Sequence, residues 1–540
     1  MILLKKYGIL ISGVLTVIFA LVYYYFTYPV LNVTNMQFWM YLLVVFVVFM
    51  TLNYFLTLKV RVTELFSGVK YVNRNKRPLL IFVVPVIFLG IILVNFICSP
   101  LFNSKSYYER ISVDDSSEFT EEIKEVDFNK MPLLDRDSSA KLGDRTMGQL
   151  SELVSQFDVS NQYTQINYND EIIRVTPLEY NGFIKWVTNR KDGIKGYVKV
   201  NSTTGDASLV KLKKGMKYVP SALFNENLYR KLQVSYPTKN FDSVNFEIDN
   251  EGNPYWVASV VKYTGVGLKR DVVGAVLLDP ITGKSKYYDV KDVPKWVDHV
   301  YESDLIIEQI NDWGKYKNGF LNTIFGQKEV VQSTSGYNYL AQDNDIFLYT
   351  GITSVLADES NIGFVLVNMR TKETKFYGVA GATETSAMES AKGQVQQMNY
   401  TSTFPLLVNL NGKPTYLISL KDNAGLVKMY AFVDVVDYQK VVVTDSSSGI
   451  KKAAENYLAE VSDVSVPMKG KEIEVVVKDL TTVNIDGTTY YYFSDSDGKK
   501  YKVSIKVDKN NLPFMKNEDK IRVKFNEGKE INSIVEIIRD

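Results

Sequence analysis

Hydrophobic and polar positions divide this chain into two regimes that meet near residue 104. Ahead of that point, three runs at 7–35, 36–58 and 78–104 contain no charged residue. Each supplies the roughly 20 mostly apolar residues that a helix rising about 1.5 Å per residue needs to cross a hydrocarbon core of about 30 Å, so three membrane-spanning helices are predicted. The first run ends in the bulky YYYFTYP and a second follows at once, which is a poor fit to a cleaved signal peptide. Behind residue 104 the apolar runs shorten. A polar stretch at 104–125 reads as a stalk with a helix in EFTEEIKEV, and the spacing of Leu150, Leu153, Val154 and Phe157 after Met147 predicts an amphipathic helix. From 168 to about 444 strands dominate.

In that stretch one outline returns four times: GYVKVNSTTGDASLV from Gly196, GAVLLDPITGKSKYY from Gly274, GFVLVNMRTKETKFY from Gly363 and AFVDVVDYQKVVVT from Ala431. A strand pair is predicted before each, in PLEYNGFIKWVTNR from Pro177, NFEIDNEGNPYWVASVVKY from Asn245, DIFLYTGITSVLAD from Asp345 and FPLLVNLNGKPTYLISLKD from Phe404. Two of these pairs share a hinge, NEGNPY and NLNGKPTY, in which glycine accepts positive φ and proline fixes the next residue. In DPITG, Pro280 presets the first turn position and Gly283 accepts a left-handed backbone; the third and fourth copies lack that glycine. The anchors stand 78, 89 and 68 residues apart, too unevenly for a solenoid or propeller. Helical rhythm appears between the copies, in PSALFNENLYRKL, PKWVDHVYESDLIIEQINDWG and TETSAMESAKGQVQQM. The second is expected to run from Pro294 to Gly314 with Trp296, Val300, Leu305, Ile306 and Ile310 on its apolar side. One helix over a small antiparallel sheet buries a face that neither could bury alone, so the repeating unit is a small α+β module.

The helix, the aromatic strand PYWVASV and the hairpin GAVLLDPITGKSKYY together resemble the PepSY module of bacterial propeptides and exported proteins, over about 168–444. The whole arrangement, LDRDSSAKLGDR included, also resembles multi-span membrane proteins of Gram-positive bacteria. The resemblance implies inhibition or regulation of a protease at the cell envelope.

Past a linker at 445–470, with a helix expected over 450–461, the tail 471–540 offers five strand candidates: EIEVVVKDL, TTYYYFSD, KKYKVSIKV, DKIRVKF and INSIVEIIR. Five short strands with a longer third connection predict a small closed or partly closed barrel of OB type. Successive strand residues alternate faces, so at most half of Tyr490, Tyr491, Tyr492 and Phe493 share a surface, and a spacer or protein-docking barrel is expected rather than a nucleic-acid binder.

Charge then orients the chain. The formal net charge is +1, but the first hundred residues hold eight Lys or Arg against one acid, Glu64. Six of the eight, Lys59, Arg61, Lys70, Arg74, Lys76 and Arg77, fall between the second and third runs, and TYPVLNVTN between the first and second holds none. Basic residues beside a span stay cytoplasmic, so the N-terminus and basic loop are expected inside and everything after Phe102 outside. Cys98, the only cysteine, falls at the outer end of the third run, which leaves the exterior region without a disulfide. Near-neutral overall charge excludes a strongly basic nucleic-acid binder.

Candidate chemistry is sparse. His299 is the only histidine, reads as an ordinary helix residue beside Asp298, and permits no multi-histidine metal site. SDSDGK from Ser494 lacks the later bidentate acid of a calcium loop and reads as a hairpin turn; TGVG from Thr264 sits in a strand connection. Asp343 with Asp345 and Asp358 with Glu359 are the carboxylate pairs open to a hydrolase reading. The densest mixed-charge cluster is Asp135, Arg136, Asp137, Lys141, Asp144 and Arg145, read either as a capped, ion-paired turn or as a partner-binding site.

The expected protein is α+β: three transmembrane helices over 1–104, a stalk and helical connector over 105–167, PepSY-like repeats over 168–444, a linker over 445–470 and a small β-barrel over 471–540. It is expected to be a multi-pass membrane protein without catalytic residues, cofactor or metal, binding or scaffolding an envelope protein or cell-wall polymer. The alternatives are a carboxylate-dependent envelope hydrolase and an accessory subunit of a membrane complex.

Overall fold

The computed structural model describes residues 2–66, 82–116, 118–148, 155–355, 357–461, 471–485, 488–526 and 531–538. The architecture is mixed α+β, and the chain divides into two compact units, Met1–Val441 and Val442–Asp540.

The first unit begins with helices α1 (Ile2–Thr27), α2 (Met36–Phe66), α3 (Val83–Ile97) and α4 (Pro100–Tyr108). Two stretches, Gly8–Thr27 in α1 and Met36–Leu56 in α2, are long and apolar enough to cross a membrane. Leu10, Val17, Leu21 and Phe55 on them are exposed, as lipid-facing side chains would be. Of the third expected span, 78–104, only residues from 82 on are described; there α3 has 15 residues and meets α4 at a 53° bend, and among the described residues it reaches spanning length if the bent pair counts as one. Pro100, which cannot donate to the preceding turn, stands at that break. Residues 67–81, the heart of the expected basic loop, lie outside the described residues, as do Leu150, Leu153 and Val154 of the expected amphipathic helix.

Four small antiparallel sheets follow. Sheet I has β1 (Thr164–Tyr168), β2 (Glu171–Tyr180), β3 (Ile194–Asn201) and β4 (Ala207–Met216), with the short strand Phe157–Val159 added along the end of β2. Sheet II is β5 (Asn240–Ile248), β6 (Pro254–Thr264), β7 (Lys269–Leu278) and β8 (Ser285–Asp289). Sheet III has β9 (Asn338–Gln342), β10 (Asp345–Ser354), β11 (Ala357–Asn368) and β12 (Thr374–Tyr377); sheet IV has β13 (Leu406–Leu410), β14 (Lys413–Lys421) and β15 (Val427–Asp434).

The recurring outline marks the third strand of each meander and the turn after it. A Cβ added at Gly274 on β7 would lie 2.2 Å from the Tyr288 carbonyl and 2.6 Å from the Tyr287 hydroxyl. At Gly363 on β11 it would lie 2.4 Å from the Tyr377 carbonyl and 2.6 Å from the Phe376 ring; at Gly196 on β3, 2.9 Å from the Val210 carbonyl. In these three copies the close approach of the fourth strand leaves no room for a side chain at the anchor; the fourth copy carries Ala431 there. The turn is set by an Asx residue, not by the glycine that ends it. Asn201, Asp279, Asn368 and Asp434 each accept, through Oδ1, the amides two and three residues on. The left-handed position falls on Gly205, Gly283 and, in the third copy, Lys372 at φ +66°, so a missing glycine does not change the turn.

The sheets stack rather than follow one another as beads. One face of sheet II (Trp256, Ala258, Val260, Val276, Leu278) joins the core of sheet I, and the other (Val257, Val261, Ala275, Leu277) joins Leu305, Ile306 and Ile310 and the core of sheet III. Burial on both faces explains the continuous apolar run of β6. The segment expected as a stalk is a strap. Val113–Asp114 pairs in parallel with β12, Val126 N donates to the Asn409 carbonyl on β13, and Leu134 N donates to the Ser202 carbonyl after β3.

Three local expectations are corrected. PLEYNGFIKWVTNR is not a strand pair: β2 ends at Tyr180, Gly182 takes φ +84°, and Gly182–Asn189 is a helix. DIFLYTGITSVLAD is one strand, β10, and the beginning of β11. The helix expected from Pro294 starts only at Ser303, runs past Gly314 to Tyr316, and leaves His299 in an irregular segment. The amides of Asp298 and His299 are bound by the Glu247 carboxylate, and those of Val300 and Tyr301 by the Met369 carbonyl, so none is left for a helical i−4 bond. Gly314 serves packing, since a Cβ there would lie 2.2 Å from the Val331 carbonyl.

The second unit holds a helix, Ile450–Val461, and six strands: β16 (Lys471–Val476), β17 (Lys478–Ile485), β18 (Thr488–Ser494), β19 (Lys500–Ser504), β20 (Lys520–Asn526) and β21 (Asn532–Ile538). EIEVVVKDL is split at Val477 into two strands, and the sheet runs β16-β20-β21-β19-β18-β17. The barrel expected here, closed or partly closed, is found as an open sheet, in which no pairing joins β16 to β17 among the described residues. Tyr491 and Phe493 enter the core while Tyr490 and Tyr492 take the other face. SDSDGK forms the β18–β19 turn, held by Asp495, which also accepts the Tyr501 hydroxyl at 3.0 Å.

Candidate functional site

The four sheets meet around a cleft of about 890 Å³. Sheet I contributes Gln165 and Arg174, which stand directly opposite each other on β1 and β2. Their neighbours Ile166 and Ile173 are also paired and point into the core, so strand alternation turns Gln165 and Arg174 to the opposite face. Sheet II contributes Ser243 and Arg270, sheet III Tyr339, and sheet IV's approach Phe404; His299 and Glu302 close one side. His299 meets Tyr339 edge-on at 5.3 Å, and Asn338 donates to the Phe404 carbonyl at 3.2 Å.

Most charges in the cleft are committed. Arg270 pairs with Asp242 at 2.5 Å, and Lys421 of β14 pairs with Asp135 at 2.5 Å. Burial alone would raise the Asp135 carboxyl, but Lys421 and the Ser138 amide and hydroxyl outweigh it and hold it below the usual range. His299 is pushed down to about 4 by burial, against the opposing bond from its Nε2 to the Gln165 carbonyl at 2.7 Å. That bond makes Nε2 the protonated nitrogen of a neutral ring.

Arg174 differs from these pairs. Its residue is 6% exposed, yet the guanidinium makes no hydrogen bond or ion pair with any described residue, and Nε is buried without a partner. Burial pulls its pKa down to about 10, with Asp135 opposing, so it stays charged at neutral pH. Gln165 is 2% exposed, and both atoms of its side-chain amide also lack a partner. Native proteins rarely leave such groups unsatisfied, because each costs about 1–3 kcal/mol and a charge costs more.

Of the mixed-charge cluster, Asp135 and Arg136 reach this cleft, and Arg136 Nη2 donates to the Asn161 carbonyl. The cluster is mostly a helix, Arg136–Gly148, with Asp135 capping its first turn through the Ser138 amide at 2.9 Å. Lys141 donates to the Ala424 carbonyl, and Asp137, Asp144 and Arg145 are exposed away from the cleft lining. Sequence reasoning missed Gln165 and Arg174. The signal was a single charge inside the run IIRVTPL.

The carboxylates raised for a hydrolase stand elsewhere. Asp343 pairs with Lys124, Asp345 is held by the Arg370 fork, and the side chains of Asp358 and Glu359 lie outside the described residues. A second cleft of about 850 Å³ is lined by hydroxyls, among them Thr334, Thr353, Thr383 and Ser386. Among the described residues no three His, Cys, Asp or Glu side chains gather as metal ligands would.

TGVG also has a role. In the β6–β7 turn, Val266 N donates to Asn95 Oδ1 at 2.7 Å, Asn95 Nδ2 returns a bond to the Val266 carbonyl at 3.1 Å, and Gly267 N donates to the Thr34 carbonyl at 2.8 Å. Arg230 stacks 4.6 Å over Tyr25 at the end of α1. Sheet II is thus seated on the α1–α2 loop and the end of α3. Compared with known protein families and curated proteins, the chain finds no match.

Proposed function

We propose that this chain is a membrane-anchored binding or scaffolding protein, whose sheets form one extracytoplasmic body that engages an envelope protein or cell-wall polymer. The observation that carries the reading is the cleft where all four sheets meet, in which Asp242 and Arg270 pair with each other, Asp135 pairs with Lys421, Arg136 and His299 bind main chain, and the buried Arg174 is left without a partner. The uniform seating of sheet II on the TYPVLNVTN loop and the end of α3 supports a body on the same side as that loop. By the rule that basic loops stay inside, this side is the exterior.

The recurring four-strand meander supports the PepSY-like reading, with its implied control of an envelope protease. In the second unit, one strand split at Val477 supplies both edges of an open sheet, and this unit is read as a spacer or docking module. The test is site-specific photocrosslinking in native membranes. A photoreactive residue at Tyr337, in the cleft, is expected to capture one discrete partner that the same residue at the remote Lys213 does not. Identical adducts from both positions would contradict the reading.

A further inference from the structure

The unsatisfied groups of the cleft define what it takes. Arg174 offers a planar fork of donors, the geometry that carboxylates and phosphates accept in pairs. Beside it, across the β1–β2 pair, Gln165 offers one amide donor set and one carbonyl acceptor, the complement of a peptide group. Charge decides between the two anions. The lining holds three arginines, Arg136, Arg174 and Arg270, against four acids, Asp135, Asp242, Glu302 and Asp304. A dianionic phosphate would enter a cleft without net positive charge, whereas one carboxylate matches the one unpaired buried guanidinium. Aromatic rings, Tyr339 on sheet III with Tyr337 and Phe404 just ahead of sheets III and IV, leave apolar surface for the rest of the ligand.

We propose that the cleft at the junction of the four sheets binds the free carboxyl terminus of a peptide, the carboxylate on Arg174 and the preceding amide on Gln165. This rests on the binding reading and names its ligand class. Two sources carry that chemistry: the tail of an envelope protein, ending in an L-residue, and a cell-wall stem peptide, ending in a D-residue.

The test is retention of N-acetylated random tripeptides by the full chain in detergent, with each pool made as free acid and as C-terminal amide, and with an L- or D-terminal residue. The acid pool of one hand is expected to be enriched at least tenfold over its amide. The enrichment is expected to vanish in Arg174→Met and to survive in part in Arg174→Lys. An L preference points to a protein tail, a D preference to a stem peptide, and either supports the site. Equal retention of acid and amide, retention unchanged by Arg174→Met, or displacement of the peptides by equimolar inorganic phosphate would overturn it. Should Arg174→Met not fold, Gln165→Leu gives the same reading, with acid enrichment expected to fall. A partner captured by photocrosslinking without tripeptide enrichment would remove this inference and leave the binding reading standing.

Discussion

Glu247 on β5 accepts the main-chain amide of His299 at 3.0 Å, so a carboxyl raised by burial to about 7 is tied to the segment that carries an imidazole lowered by burial to about 4. Their effects on stability have opposite signs. Glu247 favours the folded state fully below its ordinary pKa, and that contribution is lost as pH rises through about 7. Asp298, raised by burial and by Glu247, acts in the same direction. His299 favours the folded state above its ordinary pKa, and its contribution is lost as pH falls toward about 4. Groups shared by both variants cancel, so between pH 5 and 7 the melting temperature of His299→Asn relative to Glu247→Gln is expected to rise as pH falls. A flat difference would show that the two groups are not buried as described.

Two buried arginines should respond in opposite ways. Arg110 binds Glu308 at 2.8 Å, Asp312 at 2.5 Å and the Arg270 carbonyl at 2.6 Å, tying the strap to the helix Ser303–Tyr316. Arg110→Met strands Asp312 and is expected to cost about 3–5 kcal/mol. Arg174→Met removes a buried charge without a partner and is expected to be neutral or stabilising by about 1–4 kcal/mol. Chemical unfolding of both variants in detergent makes the comparison.

Gly363→Ala and Gly274→Ala force a methyl against the fourth strand, within 2.4 and 2.2 Å of a carbonyl oxygen, and are each expected to cost about 1–3 kcal/mol or more. Gly393→Ala, in the helix Glu384–Gln394 with nothing within 4 Å, is the control. It is expected to gain up to about 1 kcal/mol in the same unfolding assay.

How far this was legible follows from where the information resides. The glycine anchors and DPITG-like turns announced the meanders because close backbone approach and turn geometry are local demands, written at Gly196, Gly274 and Gly363. The extent of the helix after Pro294 was not legible, because Glu247, about fifty residues earlier, takes the amides that would have begun it. Arg174 and Gln165 were missed for a related reason. Their adjacency comes from strand register, and their lack of partners is a property of the assembled sheets. The strap at 113–134 looked like a stalk because its partners, Thr374, Asn409 and Ser202, are distant in the chain.

Several apolar side chains stand exposed beside the outer ends of the helices. Phe183, Ile184 and Phe224 lie near Trp186, close to the Tyr25 end of α1, and Phe325 is 82% exposed after a short helix that packs on α4. At a membrane surface these rings would rest in the interface. Brominated lipids are expected to quench a tryptophan at Phe325→Trp strongly, and one at Lys213→Trp on β4 weakly.

The central claim is that the sheets stand outside the cell on helices whose basic loop stays inside. The direct measurement is labelling of single cysteines, in a Cys98→Ser background, by a membrane-impermeant maleimide on intact cells. Cysteines at Asp144, Asp192 and Lys213 are expected to label at once, and one at Arg74 only after permeabilisation. Labelling of Arg74→Cys in intact cells, with the other three protected until the membrane is opened, would contradict the account.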